Sequence, residues 1–139
     1  MRRGDGVRIL FPAVLAAVLV LSSACFDNLP GTIEVTVTAS GVAHLQTGDL
    51  RIEVHEGTAS GDLRGVYVES PCTLDSAVPI EVTMEFVSPG DHVVVAWLDV
   101  SKNRYIDTTD VVSLCGCPPV TVPPRGTVSA SIDLDTIEP

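Results

Sequence analysis

The residues best suited to chemistry form one acidic stretch that runs from Asp99 to Asp110. Oxygen-bearing side chains occupy its first, third, fifth, ninth and twelfth positions, and an apolar residue occupies its eighth. Calcium takes six to eight oxygen ligands at about 2.3–2.6 Å, and alternate side chains of a tightly coiled loop can supply them. The spacing therefore predicts a structural calcium site. Its predicted ligands are the side chains of Asp99, Ser101, Asn103, Asp107 and Asp110 and the backbone carbonyl of Tyr105.

This spacing resembles that of an EF-hand calcium loop. The stretch departs from the EF-hand pattern at three positions. Arg104 replaces the glycine at the sharp bend, Ser101 replaces a carboxylate, and Asp110 replaces the longer glutamate. Two interpretations stay open. One is a weak calcium site with a Kd of about 10⁻⁴–10⁻³ M, and the other is a polar loop whose Asp and Asn side chains bond only their own backbone.

The cysteines offer a second kind of chemistry. The chain has four of them, at Cys25, Cys72, Cys115 and Cys117. If Cys25 is acylated after export, three thiols remain in an oxidising compartment, which predicts one disulfide and one free thiol. A bond between Cys115 and Cys117 would close a cramped ring, because cysteines two positions apart on an extended chain point their side chains in similar directions. The predicted disulfide therefore joins Cys72 to Cys115 or to Cys117.

A soft-metal site is the alternative use of these cysteines. Cys115 and Cys117 could bind copper or zinc with His92 or His55 as a third ligand, as in a soluble periplasmic metal or redox carrier. The sequence contains no Ser-His-Asp order, Gly-x-Ser-x-Gly motif or phosphate-binding loop that would indicate an enzyme. We therefore predict a non-enzymatic protein with no catalytic residues.

The N-terminal residues have the features of an export signal. Three arginines precede an apolar run of thirteen residues, Ile9–Leu21. A helix of that length reaches about 20 Å, whereas the hydrocarbon core of a bilayer is about 30 Å thick. A short apolar run between a basic start and small residues is typical of a cleaved signal.

The residues that follow this run, Leu21-Ser22-Ser23-Ala24-Cys25, resemble the lipobox of bacterial lipoproteins. The resemblance implies cleavage before Cys25, attachment of acyl chains such as palmitate to it, and anchoring to a membrane of the cell envelope. Phe26 follows the cysteine where Asp would imply inner-membrane retention, so the resemblance favours the outer membrane. Ordinary signal cleavage after Ala24 is the alternative, and it gives the same mature chain.

Charge restricts the partners of the mature chain. The whole chain carries a formal charge of −10 and has a sequence pI of about 4.4. Removing residues 1–24 leaves five basic and seventeen acidic residues, which gives a formal charge of −12. Such a chain does not bind nucleic acid backbones and is repelled by anionic lipids, so acyl chains must hold it on the membrane. A protein or glycan partner is not identified by the sequence.

The rest of the chain predicts strands. Apolar and polar residues alternate in several segments, which is typical of half-buried strands. These segments are 32–39, 50–55, 66–69, 80–86 and 128–135. Val93–Leu98 is apolar on both faces, which indicates a central strand with Trp97 in the core. Val120 and Val122 lie among prolines, which limits them to an edge or a brief pairing.

We therefore predict an all-β fold with three segments. Residues 1–24 form the signal, residues 25–31 a spacer, and residues 32–139 a single antiparallel β-sandwich of about seven strands and immunoglobulin-like size. The succession of a Pro89-Gly90 turn, an apolar strand and the acidic stretch resembles the transthyretin-like and carboxypeptidase-regulatory-like β-sandwiches of bacterial surfaces.

Overall fold

The computed structural model describes residues 28–42, 44–113 and 117–136. This part of the chain contains nine strands and no helix. The strands are β1 (Gly31–Thr38), β2 (Gln46–Glu56), β3 (Leu63–Leu74), β4 (Ile80–Val87), β5 (Gly90–Asp99), β6 (Val111–Val112), β7 (Pro119–Val122), β8 (Thr127–Asp133) and β9 (Asp135–Thr136). The prediction of an all-β fold is confirmed. Seven of the strands have four or more residues, and β6 and β9 have two each.

The strands form two sheets. The first, sheet A, has the order β4-β1-β8, and the second, sheet B, has the order β3-β2-β5-β6-β9, with β7 pairing with β5 as well. Every pairing is antiparallel except that of β1 with β8, which is parallel. The predicted antiparallel pairing is therefore found in every pair of the described strands except this one.

Side-chain alternation builds one core between the two sheets. Sheet A contributes Ile33, Val35 and Val37, and sheet B contributes Leu50, Ile52, Val54 and alternate residues of β5; all six named side chains are fully buried. Burying each aliphatic side chain of this kind stabilises the fold by about 1.5–3 kcal/mol before chain entropy is counted. The predicted central strand is confirmed, because β5 lies between β2 on one side and β6 and β7 on the other.

Two predicted details of the strands differ from the structure. The predicted strand at 66–69 is part of the longer β3, which begins at Leu63 and ends at Leu74. β3 extends past residue 69 because its pairing with β2 resumes beyond an irregularity between Gly48 and Leu50. Val120 and Val122 lie in β7, which pairs only with β5, so the expected edge position is confirmed.

The loops that connect the strands lie at two opposite ends of the fold, because of the directions in which the strands run. The Phe86 end consists of residues 28–30, 57–62, 88–89 and 123–126 together with Phe86, next to the last residue of β4. The Asp99 end consists of residues 39–42, 44–45, 75–79 and 100–110. β5 runs from the first end to the second, and its ten residues span about 30 Å. The acidic stretch therefore lies about one strand length from the start of β1.

Candidate functional site

The acidic stretch begins where β5 ends, at Asp99, whose side chain is only 1% exposed. Both of its carboxylate oxygens accept hydrogen bonds from the turn that follows. The backbone N–H of Asn103 donates to Oδ1 over 3.1 Å, and that of Arg104 donates to Oδ2 over 2.7 Å. The first residue of the stretch thus folds the following five residues back over itself.

The backbone of the stretch makes its bend without glycine. Lys102 and Arg104 have φ angles of 59° and 68°, in the left-handed region that favours glycine. Arg104 is the residue at the sixth position, where an EF-hand loop has its glycine. The turn therefore makes this bend although its sixth residue is an arginine and not a glycine. The hydrogen bonds to Asp99 stabilise the bend.

Two of the other predicted ligands donate side-chain hydrogen bonds to Asp107. Its Oδ2 accepts bonds from the hydroxyl of Ser101 over 3.1 Å and from Nδ2 of Asn103 over 2.7 Å. The same Ser101 hydroxyl lies 3.3 Å from Oδ1 of Asp99. The structure thus brings together four of the six predicted ligands: Asp99, Ser101, Asn103 and Asp107.

The two remaining predicted ligands are placed differently. Asp110 is 1% exposed, and its two oxygens accept bonds from the backbone N–H groups of Val100 and Asp107, each over 2.9 Å. Tyr105 exposes 76% of its surface, and its N–H donates to Oδ1 of Asn103 over 2.7 Å. A bound calcium ion would need Asn103 to turn that oxygen towards the metal.

The charges of the stretch are poorly compensated. Among the residues that the structure describes, no ion pair includes Asp99, Asp107 or Asp110. The nearby Lys102 pairs instead with Asp49, with 3.6 Å between Nζ and Oδ1. Buried carboxylates with hydrogen bonds but no cationic partner keep part of their desolvation cost. Carboxylate, amide and hydroxyl oxygens are ligands of the kind that calcium takes, but Asp99, Asp107 and Asp110 do not form a group of three that could hold a metal ion in this arrangement of the described residues.

Hydrogen bonding lowers the pKa of Asp107 below its ordinary value of 3.8. The largest cause is the Thr109 hydroxyl, which donates to Oδ1 over 2.6 Å, and the Thr109 N–H adds a bond of 2.8 Å. Because the pKa is lower in the folded protein, ionised Asp107 stabilises the fold above about pH 4. This contribution disappears as the pH falls through the folded-state pKa.

Replacing Thr109 by Val should therefore raise the pKa of Asp107 in metal-free protein. The stability loss should be present at pH 6 and should vanish below the folded-state pKa, where the carboxyl is protonated in both proteins. An NMR titration of the Asp107 carboxyl and unfolding at both pH values measure the two effects. The control is Thr108→Val, the same change at an exposed neighbour. An unchanged pKa in Thr109→Val would contradict the assigned cause.

The described cysteines are not joined. No disulfide joins Cys72 to Cys117, and Cys115 lies outside the described residues. Cys72 lies in β3 opposite Gly48 and is 3% exposed. Burial raises the pKa of both thiols, which makes them less reactive at neutral pH. The pairing of Cys72 with Cys115 stays a prediction.

The two histidines proposed as metal ligands have protein partners. In His55, Nδ1 lies 3.0 Å from the carbonyl oxygen of Gly61 and Nε2 lies 2.9 Å from a carboxylate oxygen of Glu53. In His92, which is 2% exposed, Nε2 lies 2.7 Å from the carbonyl oxygen of Ser88. No group of three or more His, Cys, Asp or Glu residues suited to a metal ion occurs in the part of the chain that the structure describes.

The outer face of sheet B carries a polar row that the sequence analysis missed. Arg51, Glu53 and His55 alternate with the buried residues of β2, and Arg51 lies opposite Trp97 of β5. The Arg51 guanidinium carbon is 5.4 Å from the centre of the Trp97 ring. Trp97 is 5% exposed, as expected, but it faces away from the shared core. The alternation in 50–55 was the signal that could have identified this row.

Comparisons of the chain with models of known families, with curated proteins and with solved structures found no match. Within the described ranges, no helix has the length and apolar character needed to cross a membrane. Cys25 and the residues before it lie outside those ranges.

Proposed function

We propose that the chain is a lipid-anchored protein of the cell envelope, with the outer membrane favoured, that acts as a non-enzymatic binding or supporting module. The observation that carries the proposal is the position of Cys25. It directly follows a short export signal and precedes by only six residues the first strand of an all-β domain. Cleavage before a lipobox cysteine at this position would give a mature protein that consists of a short lipid-bearing tether and a folded domain.

We assign the domain to the transthyretin-like and carboxypeptidase-regulatory-like sandwiches. The succession that carries this resemblance recurs in the fold as a turn at Ser88-Pro89, the buried β5 and the acidic stretch. Among the seven longer strands, the first, fourth and seventh share a sheet. In an immunoglobulin constant domain the first and fourth share a sheet with the second and fifth instead. This difference supports the transthyretin-like alternative.

The acidic stretch gives the module a structural calcium site. Asp99, Ser101, Asn103 and Asp107 already lie together, and Asp99 and Asp110 are buried without a cationic partner among the described residues. A cation held by these oxygens would stiffen the Asp99 end and offset the repulsion among the three carboxylates. The role is structural, because the stretch contains no group placed to activate a substrate.

Calcium should therefore stabilise the protein. A ligand that binds only the folded state stabilises it by RT ln(1 + [L]/Kd). At about 2 mM calcium and a Kd of about 0.2 mM, this equals about 1.4 kcal/mol, or about 3–6 °C in Tm for a domain of this size. Magnesium should have a smaller effect, because it requires a tighter octahedral site. Thermal unfolding with calcium, magnesium and chelator measures the difference.

Substitutions at the two ends distinguish calcium binding at a specific site from general screening of negative charge by divalent cations. Asp99→Asn keeps the size of the side chain and removes its charge, and it should abolish the calcium response. Asp62→Asn removes one charge at the Phe86 end, where the side chain is 86% exposed, and should leave the response intact. Equal shifts with calcium and magnesium would indicate screening. Identical melting with calcium and with chelator would leave the polar loop as the correct interpretation.

The mass of the mature N-terminus tests the anchor. We expect a chain that begins at Cys25 and carries covalent acyl chains, recovered in the membrane fraction. A chain that begins at Cys25 without acyl chains would show ordinary signal cleavage and a soluble protein. The same measurement determines how many thiols remain for a disulfide, since acylation uses one of the four cysteines.

A further inference from the structure

The residues that lead to Cys25 are fixed to the Phe86 end of the fold. The carbonyl of Leu29 accepts a hydrogen bond from the N–H of Arg125 over 3.3 Å, and the N–H of Thr32 donates to the carbonyl of Gly126 over 2.9 Å. Between them, Gly31 packs so closely on residues 122–126 that an added Cβ would lie 2.6–2.7 Å from three of their atoms. The chain is therefore held against the 123–126 turn from Leu29 onwards.

This attachment limits how far the fold can stand from an acylated Cys25. Leu29 comes four positions after Cys25, and a fully extended chain covers that separation in at most about 14 Å. The Asp99 end lies about 30 Å further away, at the other end of β5. A tether of this length keeps the Phe86 end next to any membrane that holds the acyl chains, and the Asp99 end can reach that membrane only if the domain lies on its side.

The Phe86 end presents apolar side chains where the tether emerges. Phe86 exposes 80% of its surface, and Leu63, the first residue of β3, exposes 52%. Phe86 lies at an irregularity in the pairing of β1 with β4, between the partners of Gly31 and Ile33. Its φ of 61° is rare for a bulky residue, so the surrounding strands must impose this backbone conformation. The fold thus places an aromatic ring in solvent beside the tether.

Both ends of the fold carry acidic residues. At the Phe86 end, the connecting segments contain Asp62 and Arg125, and the adjoining strand ends add the acidic Glu56, Glu85 and Asp91 and the basic Arg64. The acidic residues at the opposite end include Asp99 and Asp110, which are buried. Charge therefore does not distinguish the two ends, and it is the tether and the exposed Phe86 and Leu63 that favour one orientation.

We propose that the Phe86 end is a membrane-contacting surface, with Phe86 and Leu63 at the boundary between headgroups and acyl chains and with the Asp99 end facing away from the bilayer. The proposal rests on the anchoring of Cys25 proposed above. Apolar and aromatic side chains at this boundary bury their surface about 5–10 Å into the lipid. Phe86 and Leu63 would strengthen the membrane binding that the acyl chains provide and would fix the orientation of the domain on the membrane.

Quenching by brominated lipids tests the orientation. Acylated protein is reconstituted into phosphatidylcholine vesicles with and without bromine on the acyl chains near the headgroups. Two variants, Phe86→Trp and Tyr105→Trp, add an indole at opposite ends, and the buried Trp97 gives both the same background. We expect brominated vesicles to quench the added emission of Phe86→Trp and to leave that of Tyr105→Trp unchanged. Tm values equal to that of the unmodified chain establish that both variants fold.

The outcomes separate the orientation from the anchor. If acylated protein floats with the vesicles but the Tyr105→Trp variant is the one quenched, or if neither is, the proposed contact is wrong and the anchor stands. If the mass of the N-terminus shows no acyl chains and the protein does not float, the anchor is wrong and the orientation falls with it. Quenching of Phe86→Trp alone supports both.

Discussion

Replacing Cys25 by Ser is expected to abolish membrane anchoring. Serine has no thiol to accept diacylglycerol, and anionic lipids repel a mature chain with a formal charge of −12, so electrostatic attraction would not replace the acyl chains. Each buried methylene contributes about 0.8 kcal/mol to membrane binding, so removing several acyl chains removes nearly all of it. The variant should accumulate as an uncleaved precursor or as soluble envelope protein. Fractionation combined with the mass of the N-terminus distinguishes these forms.

The matched control is Cys117→Ser, the same change at a partly buried cysteine far from the signal. It should leave processing and membrane fractionation unchanged. Processed Cys25→Ser protein that still fractionates with membranes would contradict lipidation at this position. It would also remove the basis for a membrane-facing Phe86 end.

The second large effect is expected in the core. Leu50 is fully buried, and its partners in register are Glu69 of β3 and Leu98 of β5. Leu50→Ala should lower the free energy of unfolding by about 3–5 kcal/mol, because it loses apolar burial and leaves a cavity between the sheets. For a domain of this size the Tm should fall by about 10–20 °C. Thermal or denaturant unfolding of the mature chain measures the change.

Leu63→Ala provides the comparison, because the same atoms are removed from a side chain that is 52% exposed. Its effect on unfolding should stay within about 1 kcal/mol. Similar losses in the two variants would contradict the shared core between sheet A and sheet B. The pair also separates stability from membrane contact, since Leu63 lies at the Phe86 end and Leu50 does not.

Periodicity was sufficient to predict most of the fold. The alternation in 32–39 and 50–55 predicted β1 and β2, because a strand buried on one face needs apolar residues at every second position. The apolar run at Val93–Leu98 predicted the central β5. Strand order could not be derived in this way. The parallel pairing of β1 with β8 depends on how two distant segments pack, which a local pattern does not record.

The candidate site was predictable in composition and only partly in geometry. The spacing of oxygens placed Asp99, Ser101, Asn103 and Asp107 together, as the structure does. It could not predict that Asp110 would bond the N–H groups of Val100 and Asp107, because those bonds depend on how the chain enters β6. The alternation predicted a strand only over 66–69, whereas β3 continues through Pro71 and Cys72 to Leu74.

The parallel pair has a consequence for the order of folding. β1 is the middle strand of sheet A, and its partners in β8 lie 95 residues further along the chain. Contacts between such distant segments carry a large loop-closure cost and slow the search for the native fold. In a chain that crosses a membrane N-terminus first, β1 would stay unpaired with β8 until almost the whole domain had emerged. Sheet A would therefore be completed last, after translocation.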